Sequence, residues 1–276
     1  MSTPILVSRN GRVIPPQDAR VHVQNPAVTS ALGVYETLQV VNGHIFHLDD
    51  HLGRLHRSAE AIHLKLAATL DMLAVWAREL VDQGHVSEAA LRILALNSDA
   101  YTEPSVYMLL LPPIHHPRTL YEQGAAVVTF DGERALPTAK TLNTLVNFLA
   151  RQKAQAQGAH EGLLVARDGI REGATSNIFA VIGGALVTPP DHLVIAGVTR
   201  DIVIRLARER GYRLIFRPLP RSSIPLWQEA FITSTSRHVM PVTSVDGTPI
   251  NGGEVGPITR ELMAAFEACF RREVGL

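Results

Sequence analysis

The chain has 276 residues, of which 46% are apolar and 19% charged, and its formal net charge is zero. This composition indicates a globular protein with a sizeable core and excludes a disordered chain. No basic run suits nucleic acid, no apolar run is long enough to span a membrane, and the only cysteine is Cys269. We therefore expect no nucleic-acid or membrane partner, no disulfide framework and no thiolate metal cluster. The N-terminus shows no signal-peptide pattern, so a cytoplasmic location is expected.

The first third of the chain predicts a sheet covered by two helices. A turn is expected at Asn10-Gly11 and a hairpin at Asn42-Gly43, because Asn-Gly between apolar strands is a strong hairpin signal. Apolar residues at helical spacing then predict one helix capped by Asp49 or Asp50 and a second that ends near Gly84. The predicted strands are residues 4–7, 12–14, 34–41, 44–46, 91–96 and 106–111.

Three prolines among residues 112–117 interrupt this pattern, because proline fits neither a helix interior nor the middle of a sheet. We predict a small domain over residues 1–111, a linker over 112–122 and a larger domain over 123–276. In the larger domain, helices are predicted after Lys140, over 199–211 and over 258–272. The predicted strands there are residues 125–130, 162–167, 170–172, 177–182, 185–188, 213–216 and 230–235. The fold class is mixed α/β.

Lys140 is the first candidate catalytic residue. Only three of the 26 basic residues are lysines, and this one lies among small and apolar residues. A helical pattern follows it through Leu145, Phe148, Leu149 and Gln152. A desolvated lysine can lose its proton and act as a nucleophile, which arginine cannot do. Taken alone, a solvated lysine near a helix start is the ordinary explanation.

Further features could combine with Lys140 into one site. Glu172 precedes a short polar loop and a buried strand, and residues 233–236 form a row of hydroxyls at a strand end. Residues 197–200 lead into a helix, whose first N–H groups suit a phosphate. Arg54, beside the apolar stripe of its helix, could reach inward to the same phosphate. Each feature also has an ordinary explanation, as a surface charge, an N-cap or a solvated arginine.

Together these residues match the requirements of a pyridoxal-phosphate site. An amine forms the Schiff base, and a carboxylate facing the pyridine nitrogen keeps it protonated. Backbone N–H groups, hydroxyls and an arginine hold the phosphate dianion. The freed amine of Lys140 can then move the α-proton as base and acid.

The chain resembles the class IV, or fold-type IV, pyridoxal-phosphate aminotransferases, a family that includes branched-chain aminotransferase, D-amino-acid aminotransferase and aminodeoxychorismate lyase. The resemblance covers nearly the whole length, and the order of its motifs is highly specific. The motifs are residues 33–37, Asn42-Gly43, 51–55 with Ser58-Ala59, 140–143, 172–177, 197–200, and 233–236 followed by Pro241-Val242. It implies a smaller α/β sandwich domain, a larger barrel-like β domain with helices, and a homodimer.

The resemblance also implies a role for each site residue. Lys140 is expected to be the catalytic Schiff-base lysine and Glu172 the partner of the pyridine nitrogen. No metal is expected. The implied reaction moves an amino group between an amino acid and a 2-oxo acid. The expected cofactor-binding residues are Arg54, Glu172, Ser176, Asn177, Val198, Thr199, Thr235 and Ser236.

The region that binds the substrate carboxylate departs from the family pattern. Residues 140–147 resemble both the D-amino-acid enzymes and the lyase, and Tyr35-Glu36 resembles the D-amino-acid enzymes. The D-amino-acid enzymes use an arginine and a histidine for this purpose. Residues 97–103 lack that pair. The stereochemistry of the amino donor therefore stays open between D-amino acids and branched-chain L-amino acids.

Other cations could take this role. Arg92 falls near an arginine of the branched-chain enzymes, although Ala90 stands where they have a tyrosine. Arg237-His238 is unusual in the hydroxyl loop and could supply a replacement cation. The expected substrate-binding residues are Tyr35, Arg92, Arg237 and His238.

Three alternatives are weaker. An aminodeoxychorismate lyase would need a hydroxyl residue near Tyr35 in a pattern that the chain lacks. A non-catalytic phosphate-binding protein would not need Lys140 and Glu172 together. A metal site on His47, His51 and His56 lacks a further ligand at suitable spacing.

Overall fold

The computed structural model describes residues 3–97 and 103–276. The chain forms two compact units. The first comprises Met1–Ile114, Ala139–Asn143 and Arg271–Leu276, and the second comprises His115–Thr138 and Thr144–Phe270. No helix in the described part of the chain is both long and apolar enough to cross a membrane.

The first unit is built on one six-stranded antiparallel sheet in the order β2-β1-β6-β5-β3-β4. The strands are β1 (Leu6–Arg9), β2 (Arg12–Ile14), β3 (Gly33–Val41), β4 (His44–Ile45), β5 (Glu88–Leu96) and β6 (Ser105–Leu111). The helices are α1 (Pro26–Thr29), α2 (Leu48–Ala61) and α3 (Leu70–Gly84), with a 3₁₀ turn at Pro16–Asp18.

The core of this unit lies between the sheet and helices α2 and α3. Val34 and Leu38 of β3 pack with Leu55 of α2 and Leu80 of α3. Side chains alternate between the two faces of a strand, so Glu36 falls on the same face of β3 as Val34 and Leu38. A carboxylate is therefore placed on the core side of the sheet.

The second unit contains a closed barrel. Its strands are β7 (Ala125–Asp131), β8 (Glu161–Ala166), β9 (Gly169–Gly173), β10 (Asn177–Ile182), β11 (Ala185–Thr188), β12 (Leu214–Phe216), β13 (Glu229–Ser234), β14 (His238–Val245) and β15 (Thr248–Pro249). They pair in the order β12-β11-β10-β13-β14-β7-β8-β9, and β15 pairs with β14. Because β9 also pairs with β10, six strands form a ring. The closing pair is Glu172 with Asn177.

Helices and turns complete the second unit. The helices are α4 (Thr119–Gln123), α5 (Leu145–Ala156), α6 (Val198–Glu209) and α7 (Pro257–Glu273, in this unit up to Phe270), with 3₁₀ turns at Asp191–Leu193, Arg221–Leu226 and Asn251–Gly253. Ile170, Ile178, Ile232 and Met240 lie in the apolar core of this unit.

The observed units differ from the predicted domain boundaries. The division falls between Ile114 and His115, within the stretch predicted as a linker, but α4 begins in that stretch and ends one residue beyond it. The Ala139–Asn143 segment belongs to the first unit, because Thr141 bridges to Val34 of β3. The last six residues also belong to the first unit.

Three local predictions need correction. α2 starts at Leu48 after His47, so Asp49 and Asp50 lie in its first turn and neither is the cap. Strand β14 was not predicted, because it contains Pro241 and polar residues that read as loop. The predicted helix after Lys140 is confirmed as α5, but its large apolar residues face outward. Leu145, Phe148 and Leu149 are exposed, and the buried positions are Asn147, Ala150 and Ala154.

Candidate active site

Lys140 lies on an extended segment whose backbone is fixed on both sides within the first unit. The N–H of Tyr35 donates to the carbonyl of Lys140 at 3.0 Å. The N–H of Lys140 donates to the hydroxyl of Ser58 on α2, also at 3.0 Å. The amino nitrogen of Lys140 lies 4.6 Å from the centroid of the Tyr35 ring. The sequence candidate is therefore a positioned amine beside an aromatic face.

Tyr35 also brings Arg92 into this group. The guanidinium carbon of Arg92 lies 5.0 Å from the centroid of the same ring. The two residues are diagonal neighbours on β3 and β5, because Tyr35 pairs with Leu94 and Thr37 pairs with Arg92. Two of the predicted substrate-binding residues are thus gathered near Lys140.

Arg54 is part of a buried ionic cluster in the same unit. Its Nε and Nη2 donate to the two oxygens of Glu36, each at 2.7 Å. The Nδ1 of His51 lies 2.8 Å from the same carboxylate. Arg54 and Ser58 are four residues apart on α2 and share one helix face. The arginine predicted to hold a phosphate therefore has its guanidinium plane fixed by Glu36.

The charges of this cluster follow from its burial. Burial alone would raise the pKa of Glu36, but the charge and hydrogen bonds of Arg54, helped by His51, outweigh it and lower that pKa. Burial lowers the pKa of His51, so its imidazole is neutral at neutral pH. Sequence reasoning missed Glu36 as a partner, although its core-facing position on a strand was an available signal.

The three histidines weighed as metal ligands do not form a cluster. His51 is bonded to Glu36, His47 lies 2.5 Å from Asp50, and His56 is exposed. Within residues 3–97 and 103–276, no group of three or more potential metal ligands is found.

In the second unit, Glu172 is buried near the end of β9. The Nε of Arg134 donates to its Oε1 at 2.7 Å, and the N–H of Ile195 donates to its Oε2 at 3.3 Å. The side-chain amide of Asn177 donates to the carbonyl of Ile195 at 2.8 Å. Glu172 and Asn177 are therefore brought together with the segment that leads into α6. Arg134 was not predicted, and its place in a loop 38 residues before Glu172 gave no signal.

The start of α6 adjoins this group. The helix begins after Gly197 without a side-chain cap, and Val198 and Thr199 are buried. A Cβ on Gly197 would lie 2.1 Å from Oδ1 of Asn177, so no side chain fits there. The first N–H groups of a helix lack partners within the helix and suit an anion.

The hydroxyl loop follows β13 at the same end of the barrel. Thr233 pairs with Asn177 across β13 and β10, so Thr235 and Ser236 lie just beyond that pair. The hydroxyl of Ser236 lies 3.3 Å from Nε2 of His116.

A fully buried carboxylate, Glu161, organises the loop that contains Ser176. It accepts hydrogen bonds from the hydroxyls of Thr175 at 2.7 Å and Ser176 at 3.2 Å. Nη1 of Arg237 donates to Oγ1 of Thr175 at 2.9 Å and lies 3.5 Å from Glu161. Arg237 is thus anchored to this loop through one nitrogen. Sequence reasoning missed Glu161.

The guanidinium of Arg237 brings a positive charge to this loop, and two nearby histidines have lowered pKa values. Burial lowers the pKa of His116 to about 4, and the charge of Arg237 adds to the effect. The same two causes lower the pKa of His160.

His238, the first residue of β14, contacts a different part of the second unit from Arg237. Its ring packs against Phe266 and Phe270 of α7, with centroid distances of 5.0 and 4.4 Å, and its Nδ1 lies 3.6 Å from Glu267. The structure therefore does not bring His238 together with the other predicted residues. The sequence of residues 97–103 lacks the arginine and histidine that the D-amino-acid enzymes have there. Residues 98–102 lie outside the described residues.

Comparison with known proteins identifies the family of the chain. Residues 33–245 match the family model for amino-transferase class IV. The chain is 32% identical to D-alanine aminotransferase of Bacillus licheniformis, over 94% of each chain.

Solved structures are also similar. The crystal structure of the Escherichia coli branched-chain amino acid aminotransferase has 29% identity and a TM-score of 0.89, over 99% of this chain and 96% of that one. The branched-chain aminotransferase of Thermobaculum terrenum, solved in its PLP form, has 26% identity and a TM-score of 0.86, over 100% of this chain and 95% of that one. The chain therefore belongs to the class IV aminotransferase family and is an aminotransferase.

Proposed function

We propose that this aminotransferase uses pyridoxal 5'-phosphate, held covalently by Lys140, to move an amino group between an amino acid and a 2-oxo acid. The observation that carries the proposal is the position of the Lys140 amine. In a chain with three lysines, this one has its backbone fixed at Tyr35 and Ser58 and its amino nitrogen 4.6 Å from the Tyr35 ring centroid. The PLP form of the relative from Thermobaculum terrenum supports the choice of cofactor.

The donors of the second unit fit a phosphorylated pyridine. The uncapped start of α6 supplies the N–H groups of Val198 and Thr199, and Gly197 keeps this position clear of a side chain. Thr235 and Ser236 add hydroxyls, and Glu172 offers an anionic partner for a ring nitrogen. We assign the phosphate to the N–H groups of α6 and the hydroxyls of Thr235 and Ser236, and the ring nitrogen to Glu172. Ser176 and Asn177 are assigned to the same cofactor site. When bound, the cofactor supplies an electron-withdrawing ring that stabilises charge at the substrate α-carbon.

The residues of the first unit supply the proton transfer and part of the substrate binding. Lys140 would take the proton from the substrate α-carbon and pass it to the cofactor carbon that carries the imine, because an amine can serve first as base and then as acid. The Tyr35 ring orients the lysine side chain, and Arg92 offers a cation to a substrate carboxylate. Arg54, held in plane by Glu36, is assigned to the phosphate.

Arg237 is proposed as a second cation for the substrate carboxylate. Thr175 and Glu161 hold Nη1, and Nε and Nη2 make no hydrogen bond to any described residue. Replacing Arg237 with Ala should raise the KM for the amino acid or the 2-oxo acid without loss of bound cofactor. Arg221→Ala, at an exposed ion pair with Asp131, is the matched control. An unchanged KM would remove Arg237 from the substrate site.

A half-reaction screen tests the function and separates the two donor classes. Purified enzyme should be yellow, and a productive amino donor should bleach the colour in a single turnover. D-alanine and L-leucine represent the D-amino-acid and the branched-chain L-amino-acid classes. Loss of colour with one class assigns the donor, whereas a colour that persists with every D- and L-amino acid would contradict the proposal and favour the lyase alternative.

We also propose a cytoplasmic homodimer. The exposed apolar residues Leu145, Phe148 and Leu149 on α5 support association between copies, because large exposed apolar patches often mark interfaces. Sedimentation equilibrium should give twice the chain mass of 30.1 kDa. A monomer at micromolar concentration would contradict the dimer, and cell fractionation tests the location.

A further inference from the structure

Arg134 makes three hydrogen bonds within the second unit, one from each guanidinium nitrogen. Nε donates to Oε1 of Glu172 at 2.7 Å, Nη1 to Oδ1 of Asn147 at 3.2 Å, and Nη2 to the carbonyl of Ala174 at 3.3 Å. The side chain is buried. A planar group bonded at all three nitrogens has its position and orientation fixed.

Asn147 explains how this orientation is maintained. It is a buried amide on α5, a helix whose large apolar residues Leu145, Phe148 and Leu149 point outward. Val146 and Ala150 of the same helix pack in an apolar cluster with Leu164, so Asn147 lies on the buried face of α5. Its amide is satisfied there, because Asn147 accepts from Arg134 and donates to the carbonyl of Ala174 at 2.6 Å. Arg134 and Asn147 together hold the backbone that follows Glu172.

Burial makes the charge of Glu172 depend on this neighbour. The carboxylate is 3% exposed, and an isolated carboxylate with so little water around it favours its neutral form. A guanidinium in hydrogen-bond contact favours the ionised form. When Glu172 faces a pyridine nitrogen, the two groups share one proton. A cation bonded to the carboxylate then shifts that proton towards the nitrogen.

We propose that Arg134 is a positioning residue that keeps Glu172 ionised, so that the shared proton resides on the cofactor ring nitrogen. The inference rests on the proposed function, in which Glu172 faces that nitrogen. Arg134 touches neither substrate nor cofactor in this scheme and acts through Glu172.

The test uses pyridoxal phosphate labelled with ¹⁵N in the ring and bound to the full-length enzyme. The ¹⁵N chemical shift distinguishes a protonated from an unprotonated ring nitrogen. The wild type should give the protonated value, Glu172→Gln the unprotonated value, and Arg134→Met a value displaced towards that of Glu172→Gln. Arg171→Met is the matched control, because Arg171 neighbours Glu172 on β9 but pairs with Glu133 and Asp168. It should keep the wild-type shift.

Kinetics supply a second readout. Arg134→Met should lower kcat/KM by roughly 10- to 100-fold, as expected for the loss of a group that orients a functional residue. Adding Arg134→Met to Glu172→Gln should lower it little further, because the two changes remove the same interaction. If Arg134→Met does not fold, Arg134→Gln keeps donors without the charge and should show the same displaced shift.

The outcomes separate the inference from the function on which it rests. A wild-type ¹⁵N shift in Arg134→Met or Arg134→Gln would overturn the role of Arg134, even if activity falls. A wild-type shift in Glu172→Gln, or no uptake of the labelled cofactor by the wild type, would instead overturn the assignment of Glu172 and of the cofactor.

Discussion

Arg54 and Glu36 form a buried pair in which Nε and Nη2 of the guanidinium donate to the two carboxylate oxygens, each at 2.7 Å. Both residues are buried, and His51 completes the group. Arg54 lies on the same face of α2 as Ser58, the hydroxyl that fixes the Lys140 backbone. Helix α2 therefore carries both the buried pair and the hydroxyl that holds the Lys140 segment.

Replacing Glu36 with Gln should lower the free energy of unfolding by about 3–5 kcal/mol, because it leaves a buried guanidinium without its anion. The folded-state pKa of Glu36 lies below its ordinary value of 4.5, so the contribution is present above that pH and is lost as the pH falls below it. Urea unfolding at pH 7 and pH 3.5 measures both effects. Equal losses at the two pH values would contradict the role of the carboxylate charge.

His51 should make stability fall as the pH drops below about 6.5. Its folded-state pKa is lowered, so the unfolded chain binds a proton that the folded chain does not. His51→Asn keeps a donor near the Nδ1 position and should flatten the stability profile between pH 7 and pH 5. A profile as steep as that of the wild type would show that another group titrates there.

Lys140→Ala should abolish turnover, with a loss of kcat of about 1,000-fold or more, because the variant lacks both the covalent attachment and the proton carrier. Borohydride should fix the cofactor to the wild-type peptide that contains residue 140 and leave the variant unlabelled. Lys65→Ala, at an exposed lysine, is the control and should keep both activity and label. Labelling at another lysine would refute the assignment.

The pKa of His116 should rise from about 4 when Arg237 is replaced with Ala. The rise should be partial, because burial is the larger cause of the low value and the charge of Arg237 the smaller one. An NMR titration of the imidazole measures it directly. An unaltered midpoint in Arg237→Ala would mean that the guanidinium does not act on this ring.

Gly197→Ala should weaken cofactor binding and lower the free energy of unfolding by about 1–3 kcal/mol, as overpacking does. The φ of Gly197 is −76°, which alanine adopts freely, so the effect is steric and comes from Oδ1 of Asn177. Fluorescence titration with the cofactor and thermal unfolding measure the two effects. Gly53→Ala, on α2 with only the tip of Arg57 nearby, should be neutral or stabilising.

Much of the fold was predictable because its signals are local. The Asn42-Gly43 hairpin, α3 and strands β10 and β11 follow from turn chemistry and apolar spacing. Closure of the barrel was implied only by the family resemblance, because the pairing of β9 with β10 and of β14 with β7 depends on contacts that spacing does not encode.

The candidate site was predictable where a motif names a residue and not where a partner is distant in sequence. Lys140, Glu172 and the start of α6 stand in motifs, and the structure gives each a defined environment. Arg134 and Glu161 stand in no recognisable motif. The fold brings Arg134 to Glu172 and Glu161 to the loop of residues 174–176. The buried face of α5 was not predictable either, because the spacing of its apolar residues predicts a helix but not which side of the helix is buried.

The barrel of the second unit is sealed by a single residue pair, Glu172 with Asn177, joined by a four-residue turn. Deleting or inserting one residue in that turn would shift the register of β10 by one residue, exchange its inward and outward side chains and disrupt closure of the barrel. This stretch therefore has little freedom to evolve in length. Arg92 and Arg237, the side chains proposed to bind the substrate carboxylate, take no part in this closure and can change without breaking it.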